Sequence, residues 1–86
     1  MKNNYIKAYN ELKTLGCPMF IGGDNGEDTF RISGEDNFDA VWADYYCEYP
    51  SSCDDMGISL AVNRILESNG LFAEWITPGS VGVYEL

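Results

Sequence analysis

The sequence predicts one α+β domain over residues 1–86, an antiparallel sheet of four to five strands with two helices on one face, in the order α-β-β-β-α-β-β. Three observations predict it. Two stretches repeat apolar residues at helical three- and four-residue steps, several short strand-like runs are bounded by Gly, Pro, Asn and Asp, and 86 residues leave room for a single core. The 45% hydrophobic fraction with 14% aromatics is that of a packed globule rather than a disordered chain. No internal repeat, low-complexity tract or linker is visible.

The first helix is expected over residues 3–15. Tyr5, Ile6, Tyr9, Leu12 and Leu15 recur along one side, with Lys7 and Lys13 on the other. Asn3 or Asn4 is suited to cap its start and Gly16 to end it. Next, CPMFIGG is short and apolar, and TFRIS alternates Phe30 and Ile32 with polar residues. The two predict an antiparallel hairpin with a loose GGDNGED loop.

Residues 38–49 carry two periods at once. Phe38, Val41, Trp42, Tyr45, Tyr46 and Tyr49 fit a helix, whereas Val, Trp and Tyr all prefer strands. The strand reading is favoured. It places Trp42, Asp44, Tyr46 and Glu48 on one face and Val41, Ala43, Tyr45, Cys47 and Tyr49 on the other, the second face being apolar throughout. After PSSCDD, a second helix is marked by Ile58, Ala61, Val62, Ile65 and Leu66, with Asp55 or Ser59 as cap and Gly70 as stop. Asp54 and Asp55 then sit where a helix N-terminus favours negative charge. Finally, LFAEWI and VGVYE flank Thr77-Pro78-Gly79-Ser80, where Pro78 and Gly79 fit the centre of a type II turn.

The N-terminus is polar and amphipathic, with no apolar run of signal-peptide length, and no stretch approaches the ~20 apolar residues of a membrane span. Cys17, Cys47 and Cys53 are an odd number without C-x-x-C spacing, which excludes a full disulfide framework and fits a reducing compartment. A cytoplasmic location is expected.

Net charge is −9, and residues 24–55 carry all of the excess: ten acids (Asp24, Glu27, Asp28, Glu35, Asp36, Asp39, Asp44, Glu48, Asp54 and Asp55) face Arg31 alone. Elsewhere four acids balance four bases. Direct binding to nucleic acid or an anionic membrane is disfavoured, and a basic partner is favoured. With no histidine, Ser-His and Cys-His nucleophile systems cannot be assembled. A zinc site would need a carboxylate beside the three thiols. The glycines of IGGDNGED are followed by acids rather than Lys or Arg, so a phosphate loop fails. A twelve-residue calcium loop counted from Asp24 to Glu35 puts Thr29 where glycine is required. No catalytic residue, metal site or cofactor is therefore assigned.

The acids are interleaved with aromatics in DNFDAVWADYYCEYPSSCDD. Crowding like charge costs stability by self-repulsion, and solubility alone needs less of it. Trp and Tyr anchor interfaces, while rim charges steer encounter. The expected contacts are Asp36, Asp39, Asp44, Glu48, Asp54 and Asp55, standing in for phosphates or pairing with Arg and Lys. Trp42 and Tyr46 are the apolar anchors. In size, charge and the DNFDAVWADYYCEY segment, the chain resembles the small acidic anti-defence proteins of phages, including anti-CRISPR proteins and DNA mimics. The resemblance implies a non-enzymatic inhibitor, in the host cytoplasm, that occupies the nucleic-acid site of a basic effector. The rivals are a generic interaction or homodimerising module with a solvated acidic face, and a small-molecule-binding protein.

Overall fold

The computed structural model describes residues 1–23, 26–36, 40–46 and 53–86. Helix α1 spans Asn3–Thr14; of the predicted apolar face Tyr5 and Leu12 are buried, together with Ala8, whereas Ile6 and Leu15 are exposed. Its start has no side-chain cap, and Lys2 occupies the capping position. Its end is the expected glycine stop: Gly16 takes φ 91°, the Gly16 N–H donates to the Lys13 carbonyl, and the Cys17 N–H donates to the Leu12 carbonyl. These paired bonds satisfy carbonyls that the helix itself leaves open.

Strands β1 (Met19–Gly23) and β2 (Gly26–Ser33) pair antiparallel from Met19↔Ile32 to Gly23↔Gly26. The hairpin is therefore tighter than the predicted loose loop. Gly22 adopts φ 102° beside a register shift between Ile21 and Gly23.

Helix α2 covers Leu60–Ser68, with Ser59, not Asp55, at its N-cap: the Ser59 hydroxyl accepts from the Val62 N–H. Val62 and Leu66 are its buried residues, and Gly70 (φ 73°) follows its end. Strands β3 (Leu71–Thr77) and β4 (Ser80–Glu85) form the closing hairpin around Pro78-Gly79. The turn lies where predicted but is not type II, because Gly79 lacks the positive φ that type requires. A β-bulge at Ile76 leaves β3 with one extra residue between Trp75↔Val81 and Thr77↔Ser80. Its added twist helps the strands close.

The sheet order is β1-β2-β4-β3, antiparallel throughout. One face presents Phe30, Ile32, Leu71, Val81 and Val83, all buried in one cluster with Tyr5, Leu12, Val62 and Leu66 of the two helices. Both helices thus cover one face of a four-stranded sheet, the predicted α+β architecture. Tyr9 meets Phe30 edge-on at 5.3 Å between ring centroids. Each fully buried Leu, Ile, Val or Phe in this cluster contributes roughly 1.5–3 kcal/mol. Asn69 joins the helices, donating from its side chain to Ile65 and Glu11 while its carbonyl accepts from Asn4.

The fifth strand is where sequence and structure part. Among described residues 40–46 there is one isolated bridge, Ala43↔Ile58, followed by a turn at Tyr45-Tyr46. The segment is neither strand nor helix. The remainder of the ambiguous stretch, 38–39 and 47–49, lies outside the described residues. No described helix is long and apolar enough to cross a membrane.

Candidate interaction surface

The chain between β2 and α2 is stitched to the lead-in of α2. The Asp44 N–H donates to the Gly57 carbonyl (2.7 Å), Ser59 N–H to Trp42 (2.9 Å), and Asp54 N–H to Ile58 (2.8 Å). Ala43, Cys53 and Ile58 enter the buried interior along these bonds. The stitching needs tight reversals, and the acids provide them. One Asp54 carboxylate oxygen accepts from the Met56 and Ile58 N–H groups (2.8 and 2.9 Å), while the other accepts from the Asn63 side chain (2.7 Å). Gly57, at φ 84°, completes that turn. Asp44 accepts from the Tyr46 N–H (3.1 Å), and Asp36 accepts from the Ser33 hydroxyl (2.6 Å). Aspartate suits this work because its short carboxylate reaches backbone N–H groups two residues ahead.

These placements divide the predicted contacts. Asp44 is buried, at 8% exposure, and braces the loop instead of facing a partner. Asp54 and Asp36 are half-buried and hold turns. Trp42 packs against the core, whereas Tyr46 is 76% exposed. The predicted common face of Trp42, Asp44 and Tyr46 is therefore not formed, because the Tyr45-Tyr46 turn breaks the alternation that a strand would have imposed. Asp55 is exposed, as expected of a contact residue. Asp39 and Glu48 lie outside the described residues.

The structure also assembles a group that sequence reasoning passed over. Tyr46, Tyr45 and Trp75 form a row of edge-to-face rings, with centroids 5.5 Å and 5.3 Å apart. Tyr45, expected on a buried strand face, is 47% exposed. The Trp75 ring lies against Gly34, where a Cβ would come within 2.8 Å of it, and its indole N–H donates to the Met56 carbonyl (2.7 Å). Met56 is 63% exposed beside Asp55. The row thus stands at the end of the helix-bearing face, where the β2–α2 segment meets β3. Its one sequence signal was the adjacent Tyr pair. Trp75 is distant in sequence, and only the fold brings it alongside.

Buried Cys17 has its thiol pushed up to about 12 by removal from water, so it stays protonated and unreactive at neutral pH. Among the described residues no three His, Cys, Asp or Glu side chains converge as metal ligands. Compared with protein-family models, with curated proteins and with solved structures, the chain matches none.

Proposed function

We propose that this domain is a non-enzymatic inhibitor that docks on a basic, nucleic-acid-handling protein and covers its nucleic-acid site. The observation that carries the reading is the row of exposed Tyr46 and Tyr45 backed by half-buried Trp75, next to Met56 and Asp55, within a chain whose excess charge of −9 lies in residues 24–55. Rigid aromatics provide contact area at low entropic cost, and carboxylates around them select a positive partner and speed its encounter. Planar rings also suit a groove built to stack bases or pair Arg side chains with them. Anchoring thus falls to Tyr45, Tyr46, Met56 and Trp75, with Asp55 and Glu35 as rim charges. Asp44 and Asp54 serve by shaping the loop that presents them. The resemblance to acidic anti-defence proteins supports the same reading.

The test is capture from a host lysate followed by competition. The expected partner is a basic protein whose bound nucleic acid is displaced by this domain. Tyr46→Ala should weaken the complex by about tenfold, as truncation of an interface anchor does. Asp55→Asn with Glu35→Gln should flatten the salt dependence of association. A partner that keeps its nucleic acid bound, or that binds Tyr46→Ala unchanged, refutes the proposal.

A further inference from the structure

We infer that the outer edge of β1, to which no strand among the described residues is paired, pairs with β1 of a second copy of this chain, joining two four-stranded sheets into one across a two-fold axis. The sheet has two edges, β1 and β3, and they are not alike. Strand β3 carries exposed Glu74 and the bulge at Ile76, both of which discourage a further strand. Strand β1 has no charged residue, and the uncharged run extends from Thr14 to Gly23. Side chains on both of its faces are open to solvent, Phe20 at 48% and Ile21 at 54%.

The register shows which backbone groups are available. The Ser33 N–H donates to the Pro18 carbonyl, so these two residues form a hydrogen-bonded pair in the Met19↔Ile32 register. By the alternation of antiparallel ladders, Phe20 then turns its N–H and carbonyl to Arg31. Met19 and Ile21 turn theirs away from β2. Two copies related by a two-fold axis satisfy these groups by setting Met19 of each opposite Ile21 of the other. Phe20 then faces Phe20 of the second copy as a close, non-hydrogen-bonded pair.

Charge argues for a second copy in this antiparallel sense. Chains of net charge −9 repel, so like copies approach best where the acids are sparsest. Arg31, the lone base of residues 24–55, lies beside this edge with its guanidinium 5.6 Å from the Phe20 ring centroid. Lys13 is exposed in the last turn of α1, just before one end of β1, and Asp28 is exposed on β2 near the other end. Antiparallel pairing brings the Lys13 end of each copy towards the Asp28 end of its mate, whereas parallel pairing would set like against like. The aromatic row lies by the β3 side of the sheet, so this contact leaves it uncovered.

Sedimentation of the purified chain over a range of concentrations tests the inference. The expected mass is that of two chains at high concentration, falling to one on dilution. Phe20→Lys should weaken association at least tenfold. Ile21→Pro should do the same while sparing the β1–β2 ladder, because the lost N–H points outward; circular dichroism verifies that each variant is folded. Phe20→Cys should give an oxidised covalent dimer, a readout that survives if the other two variants misfold. A single-chain mass at every concentration overturns the inference, as does folded Ile21→Pro that associates like the parent chain.

Discussion

Asp54 illustrates how a single carboxylate can be diverted from surface to scaffold. It accepts hydrogen bonds from two backbone N–H groups and from Asn63, and together these set the reversal that leads into α2. Asp54→Ala would leave those donors poorly satisfied and should cost about 2 kcal/mol in urea denaturation. Glu67→Ala, on the exposed side of α2, should change stability by less than about 0.5 kcal/mol. Cys17 gives a second residue-level expectation. Its thiol ionises near 9.0 when unfolded and about 12 when buried, so between those values the native state holds the proton that the unfolded chain releases. Stability should be intact below pH 9 and decline steadily above it. Tyr5 is raised by burial and by Glu85, and Lys2 by its hydrogen bond and ion pair with Glu85, so both act in the same direction at higher pH. Urea titrations from pH 8 to about 11 would show the decline, and a flat profile would contradict burial of the thiol.

Elements are ended and aimed by glycines of two kinds. Gly16 is required for its backbone angle, φ 91°, and Gly16→Ala should cost about 1 kcal/mol without altering any packed contact. Gly34 is required for space, since any Cβ there runs into the six-membered ring of Trp75. That ring cannot retreat freely, because the indole N–H is bonded to Met56. Gly34→Ala should therefore cost about 1–3 kcal/mol and shift the tryptophan fluorescence of the folded state. It should also weaken partner binding by displacing one end of the aromatic row. An unchanged emission spectrum would show that Trp75 is not held as described.

For the whole molecule, the dominant quantity is the charge imbalance. Turn-bracing carboxylates are satisfied by uncharged N–H and O–H groups, which neutralise none of the charge. Self-repulsion therefore remains in the folded state. Thermal stability should rise as salt is raised from low ionic strength to about 0.15 M, where the screening length shortens to about 8 Å. Partner binding should move the opposite way, weakening as salt screens the attraction. Self-association through the uncharged β1 edge should strengthen. Stability and self-association thus rise with salt while binding to the proposed partner falls, and the three can be read on one preparation by calorimetry, sedimentation and competition.

The sequence by itself determined both helices, their glycine stops, the two hairpins, the single domain and the placement of all nine excess negative charges in residues 24–55. Those features are local: a helical period, a turn dipeptide or a run of charge is complete within a few residues. What only the tertiary structure decided is the course of residues 40–46 and the membership of the exposed surface. Val, Trp and Tyr favour strands, but a strand requires a neighbouring ladder. Residues 40–46 join neither edge of the sheet and instead fold back on residues 57–59 through one isolated bridge and two backbone hydrogen bonds. That choice turned Asp44 inward and Tyr45 outward, and it set Trp75, some thirty residues away, beside them. Periodicity describes which side of an element a residue occupies, and it falls silent where the chain forms no element.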